Sequence, residues 1–215
     1  PAVAMNDLGH IVVVYQAPGG VVAARQYDRE GNLRAWSDGS TAAKVFSGGE
    51  NAFHPDVAIN HADQIVFAYN TGTSGGLPSA EDGESFARTY DPTTGFASRI
   101  PVNVATSRAQ RYPRVALSDN GDFYVTYASV EDYSAAASSN YIRVRGFNFA
   151  GSEILAETAL TTSSDGPDIA VDRDGNLWVV WEQQVGGVGQ YDVYLSRRPA
   201  GGSFGAIAAV NTTTS

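Results

Sequence analysis

The order of apolar and polar positions along the chain predicts strands. Phe123, Val125 and Tyr127 alternate with Tyr124, Thr126 and Ala128, a period of two carried by β-branched and aromatic residues. Leu177 to Trp181 is instead apolar without a break, the pattern of a strand covered on both faces. Polar Asn-Gly and Asp-Gly turns at 119–122 and 173–176 precede these two runs and predict tight hairpins. No capped helical stripe interrupts the pattern.

The same pattern occurs four times. PAVAMNDLGHIVVVYQ begins at Pro1, PDVAINHADQIVFAYN at Pro55, PRVALSDNGDFYVTYA at Pro113 and PDIAVDRDGNLWVVWE at Pro167. In the second copy the turn glycine is missing and Ala62-Asp63 stands there. Downstream, Arg25, Arg88 and Arg145 each stand two residues before an aromatic, and the fourth copy has Ser196 at that place. A short apolar run closes each unit, at Lys44, Ile100, Glu153 and Ala206. Each unit of roughly 50 residues thus carries about four strands, the repeat size of a β-propeller. The expected fold is all-β, a single propeller over 1–215 with blades at 1–54, 55–112, 113–166 and 167–215. A small residue at Ala4, Ala58, Ala116 and Ala170 lets neighbouring sheets approach, and the repeated proline suits the first residue of a strand.

Three arrangements fit four blades: a self-closed ring, a sector of a larger ring, or a subunit whose ring closes by oligomerisation. The closed ring is favoured, because a cut sector exposes two sheet faces. The sequence opens at Pro1 with no initiator methionine or signal peptide, which predicts a processed product or an excised piece.

Composition narrows the function. The 215 residues hold 23 acidic and 14 basic side chains, a formal charge of -9, and no cysteine. Disulfides, thiolate metal sites and a cysteine nucleophile are excluded. The acidic balance argues against nucleic acid as a partner, and no apolar run is long enough for a membrane span.

The repeats resemble the tandem propeller-like repeats of large secreted or surface bacterial proteins. Those read P-x-V-A, four residues, then G-x-F-V-V-x-W, an R-x-F/Y-D run and V-N; Pro113 to Tyr127, Arg88 to Asp91 with Gly95, and Val102-Asn103 match most closely. The resemblance implies an extracellular or cell-surface setting and specifies a fold better than an activity.

Candidate chemistry follows from the repeat. The residue after each repeated proline is Ala2, Asp56, Arg114 and Asp168. First strands of propeller blades line the central channel, so Asp56 and Asp168 would face each other with Arg114 between them. That set suits a polar ligand, or a glycosidase acid/base pair. Asp119 and Asp122, with Asp172 and Asp174, put hard oxygen ligands in tight turns and make calcium a candidate cofactor, although neither turn is an EF-hand. Gly201 to Gly205 matches G-x-S-x-G but lacks the following helix of a nucleophile elbow. The segments 70–84, 129–140 and 185–190 are Gly/Ser-containing loops on one face, and Tyr133, Tyr141 and Tyr191 beside them are candidates for stacking on a sugar. The expected function is a non-catalytic binding or adhesion domain for a carbohydrate or other cell-surface ligand. The alternatives are a glycosidase-like enzyme using Asp56 and Asp168, and a structural module of a larger exoprotein.

Overall fold

The computed structural model describes every residue except 49, 73–82, 106–108, 131–139, 163, 186–189 and 212–215. Blade 1 holds β1 (Ala2–Met5), β2 (Ile11–Ala17), β3 (Val21–Tyr27) and the short β4 (Leu33–Arg34) and β5 (Lys44–Val45). Blade 2 holds β6 (Ala52–Ile59), β7 (Ile65–Thr71), β8 (Ser85–Asp91) and β9 (Gly95–Pro101). Blade 3 holds β10 (Ala109–Leu117), β11 (Phe123–Val130), β12 (Asn140–Phe147) and β13 (Glu153–Thr161). Blade 4 holds β14 (Ser164–Val171), β15 (Leu177–Gln184), β16 (Tyr191–Arg198) and β17 (Ala208–Ala209). Each sheet is an antiparallel meander in chain order, with β5 of blade 1 also pairing β3. The architecture is a four-bladed β-propeller with the first strand of each blade innermost, and those strands touch from blade to blade.

Local chemistry fixes the repeated hairpin. Asn6 Oδ1 accepts the N–H groups of Leu8 and His10, Asn60 Oδ1 those of Ala62 and Gln64, and Asp172 Oδ1 those of Asp174 and Asn176. Such Asx turns replace a backbone turn at the same cost in chain length. The fourth turn position needs positive φ, supplied by Gly9, Gly121 and Gly175 at φ 79°, 90° and 80°. Where the glycine is missing, Asp63 adopts φ 58° itself. Its carboxylate is held there by His10 Nδ1 at 2.7 Å, Asn6 Nδ2 at 2.8 Å and Arg34 Nη2 at 3.0 Å. The substitution that weakened the turn signal is thereby a clamp between blades 1 and 2. Burial works to raise the Asp63 carboxyl, but His10 and Arg34 hold it below its ordinary value.

Packing between blades explains why central strands are apolar on both faces. Ile65, Phe67 and Tyr69 of β7 pack onto Val12 and Val14 of blade 1, while Val66 and Ala68 face Phe123, Val125 and Tyr127 of blade 3. On the other side of β11, Tyr124 and Ala128 pack onto Leu177, Val179 and Trp181 of blade 4. Each fully buried side chain of this size contributes about 1.5–3 kcal/mol. The recurring alanines behave as expected: Ala4, Ala58 and Ala116 each sit in the interface with the following blade.

These cores fill the interfaces 1/2, 2/3 and 3/4. Among the described residues no corresponding core lies between blades 4 and 1. The expectation of a self-closed ring therefore fails at its fourth interface. The faces that such a core would cover stay exposed, at Val3 and Met5 of blade 1 and Trp178 of blade 4.

Candidate active site in the axial cleft

The repeated proline carries a device that was not legible as such. The ladder between the first two strands slips at Phe53/Asp56, Arg111/Arg114 and Asp165/Asp168 in blades 2, 3 and 4. At the slip, His54, Tyr112 and Gly166 take positive φ of 50°, 51° and 56°. A left-handed non-glycine residue costs about 1–2 kcal/mol, and bulges of this kind re-aim side chains beside functional sites. Here the bulges set the three residues after the prolines, Asp56, Arg114 and Asp168, at one end of the axis. The His54 ring meets the Tyr112 ring edge-on at 4.7 Å, and His54 Nδ1 lies 3.0 Å from Asn70 Oδ1.

A cleft of about 630 Å³ opens there, lined by Tyr112, Arg114, Asp165, Asp168, Glu182 and Tyr191, together with Gly166 and Pro167. It lies at the strand ends where β15 leads into β16, the same face as the glycine-rich loops. Asp56 is not in the lining. It stands beside it, against blade 3, where Val115 N donates to its Oδ2 at 2.8 Å. Burial pushes the Asp56 carboxyl up and the nearby Asp168 charge adds to the rise, against the Val115 hydrogen bond and the Arg114 guanidinium. Asp168 turns back on itself, its Oδ1 accepting the Ile169 N–H at 2.9 Å, and Arg114 Nη1 donates to the Pro113 carbonyl at 3.0 Å. Arg114 and Asp168 lie near enough to act on the Asp56 carboxyl, but only those two line the cleft, whose wall comes from blades 3 and 4.

Three lining residues escaped the sequence reading. Asp165 and Glu182 are direct cross-strand neighbours on β14 and β15. Like charges in that relation are unfavourable. Counting pairs back from the 173–176 turn brings Glu182 only to the neighbouring Gly166, because the bulge shifts the register by one residue. Tyr112 would have been found by extending the repeat one residue before its proline.

The other candidates fall elsewhere. Tyr191 is exposed and lines the cleft. Tyr141 is half-buried with the Arg143 guanidinium 5.5 Å above its ring, and it does not reach the cleft. Tyr133 lies outside the described residues. The calcium candidates sit in hairpin turns at the opposite strand ends. Asp172 spends its oxygens on Asn176 and Asp174, and the Asn176 hydrogen bonds hold its carboxyl below its ordinary value. Asp122 accepts from Asn120 Nδ2 at 3.0 Å, Asp119 from His61 N at 3.4 Å, and Asp174 is exposed. Among the described residues no three His, Asp or Glu side chains converge as a metal-binding group.

Two of the three recurring arginines, Arg88 and Arg145, bind carbonyls of the preceding blade. Arg88 Nη1 donates to Phe46 O at 3.1 Å, with its guanidinium 4.9 Å over the Phe96 ring. Arg145 Nη1 donates to Val102 O at 2.9 Å, with its guanidinium 5.0 Å over Phe147. They are inter-blade ties and not a ligand cluster.

No family model and no curated sequence matches the chain. Solved structures do. An endo-arabinase from Bacteroides thetaiotaomicron superposes with a TM-score of 0.54 at 10% identity, covering 95% of this chain and 77% of that one. A GH43_12 protein retrieved from capybara gut metagenome gives 0.55 at 12% identity, over 99% of this chain and 41% of that one. Puromycin hydrolase gives 0.58 at 12% identity, over 97% of this chain and 32% of that one. The chain therefore spans well under two thirds of the length of the last two. At these identities the likeness establishes the propeller fold. The named neighbours are enzymes, so the expectation of a non-catalytic adhesion domain is corrected in favour of its alternative, which is taken up below as a proposal.

Proposed function

We propose that the chain is the propeller of a glycosidase-like hydrolase acting on a carbohydrate at the axial cleft. The observation that carries the reading is Asp56, a carboxyl whose proton affinity is raised by burial, next to Arg114 and Asp168 at the edge of a cleft with two tyrosines. Environments that push one carboxyl of a group upward assign the acid. In this reading Asp56 gives its proton to the glycosidic oxygen as the C–O bond breaks. Asp168 takes a proton from the water whose oxygen adds to the anomeric carbon. Arg114 holds sugar hydroxyls between them, and Tyr112 and Tyr191 stack on ring faces. The repeat pattern further supports assigning these blades to the family of large secreted or surface bacterial proteins, and hence to an extracellular setting.

The test is release of reducing ends from arabinan and other plant and microbial polysaccharides. Asp56→Asn and Asp168→Asn should each lower kcat by about 100-fold or more, the range of a positioned acid or base. Hydrolysis that survives both substitutions unchanged would overturn the assignment.

A further inference from the structure

The two end faces of the blade stack are copies of surfaces that the chain buries three times internally. Val3 is 66% exposed, whereas Val57, Val115 and Ile169 at the same place in later blades are 6%, 6% and 9% exposed against the preceding blade. Behind it Ile11, Val13 and Tyr15 repeat the positions of Ile65, Phe67 and Tyr69, which are fully buried, yet remain half-exposed. At the other end Trp178 is 41% exposed, whereas Val12, Val66 and Tyr124 at its place are 0%, 0% and 7% exposed. Val193 is also exposed where Val22 and Ile142 are buried, and Ala170 where Ala116 is buried.

A polar observation points the same way. Arg88 and Arg145 donate to Phe46 O and Val102 O of the blade before them. Arg25 is their counterpart in blade 1, opposite Val13 in the ladder, and among the described residues its guanidinium has no hydrogen bond or ion pair. The acceptor it would need exists at the other end. Ser85 N donates to Asn103 and Val193 N to Asn211, which aligns Val210 with Val102. Val210 is exposed on β16's outer neighbour segment. One end of the chain thus offers an unpaired guanidinium, and the other the carbonyl position that takes one.

We propose that the front face of blade 1 docks onto the rear face of blade 4 of a second copy of this chain, as each blade docks onto the next within one copy. The contact is heterologous, Val3, Val13 and Arg25 on one side against Trp178, Val193 and Val210 on the other. It either closes a ring between two copies or runs on as a stack. A second copy is the occupant because it carries both the apolar complement and the Arg25 acceptor. This inference is independent of the glycosidase reading, and its test has no activity readout.

Light scattering on a sizing column, over a series of concentrations, should give at least twice the chain mass of 22.7 kDa. Val3→Asp and Trp178→Asp should each yield monomers with an unchanged β-sheet circular dichroism spectrum, since both side chains are exposed. Mixed in equal amounts, they should form a two-chain species, because one retains the rear face and the other the front. Arg25→Ala should raise the dissociation constant by about 10-fold, the worth of a charge-assisted hydrogen bond. A wild-type monomer at every concentration overturns the proposal. So do single variants that keep the wild-type mass, or a mixture that stays monomeric, which would mark ordinary apolar aggregation or blades of another chain as the occupant.

Discussion

Glu157 on β13 ties two blades together, and its removal has a magnitude that can be worked out. Its Oε2 accepts the Tyr127 hydroxyl and, at 2.9 Å, the N–H of Val104, which follows β9 of blade 2. Its Oε1 pairs with Arg143 Nη1 at 2.9 Å, with the two side chains 11% and 19% exposed. Burial, followed by the Glu157 contact, pushes the Tyr127 phenol up, so it stays a donor. In Glu157→Ala the exposed Val104 N–H finds water at little cost. The Tyr127 hydroxyl, fully buried, cannot, and an unsatisfied group of that kind costs about 1–3 kcal/mol. The loss of the Arg143 partner adds about 1–2 kcal/mol, below the full penalty for a deeply buried pair because Arg143 retains some water. The total is about 3 kcal/mol, which at this chain length lowers Tm by about 6–12 °C. Urea unfolding with linear extrapolation measures it. Tyr127→Phe placed in the Glu157→Ala background should recover about 1 kcal/mol or more, since it deletes the stranded hydroxyl. A Glu157→Ala loss under about 1 kcal/mol, or no recovery in the double variant, would refute the argument.

Three further outcomes are expected. Asp56 binds its proton more tightly in the folded chain, so its contribution is largest below the unfolded carboxyl value and is lost as pH rises through the folded value; Asp56→Asn keeps an acceptor for Val115 N, and should be more stable than the parent at neutral pH in urea titrations and lack this pH dependence. Gly146→Ala sets a methyl 2.6 Å from the Tyr124 ring and 2.9 Å from Leu155 Cβ, and should cost about 1–3 kcal/mol by overpacking, read from the unfolding midpoint. Calcium or its chelation should leave Tm unmoved if the turn carboxylates are committed to their own backbone, as Asp172 is; a calcium-dependent rise would restore the metal reading of those turns.

The fold was legible because a propeller repeats its instructions. Each copy states the strand period, the Asx turn and the small residue of the blade interface, so divergence in one copy is corrected by the other three. Asp63 shows both the strength and the limit of that reading. The missing glycine is visible as a departure, but the compensation by His10, Asn6 and Arg34 is tertiary and leaves no local trace. The site was legible in part for the same reason. Position-by-position comparison singles out Asp56, Arg114 and Asp168 because they are polar where blade 1 has Ala2. It misses Glu182 and Asp165, whose meaning lies in cross-strand register, and that register is shifted by a bulge the sequence does not announce. Tyr141 failed for a different reason. A tyrosine beside a loop is equally suited to stacking on a sugar or lying under an arginine, and only the position of Arg143 decides.

Ring closure is where the repeat misleads. Four equal units suggest a closed object, yet a repeat describes only the contact between one unit and the next. In this chain that contact is made three times, and its two halves are left over at the ends. The leftovers are chemically specific, because the Arg25 guanidinium and the Val210 carbonyl position are the two halves of a tie that the chain makes twice internally. The described lining of the axial cleft comes from blades 3 and 4, with Asp56 of blade 2 beside it, and Ala2 of blade 1 is not in it. The proposed acid/base chemistry and the completion of the ring are separable by experiment, because neither Val3 nor Trp178 lines the cleft.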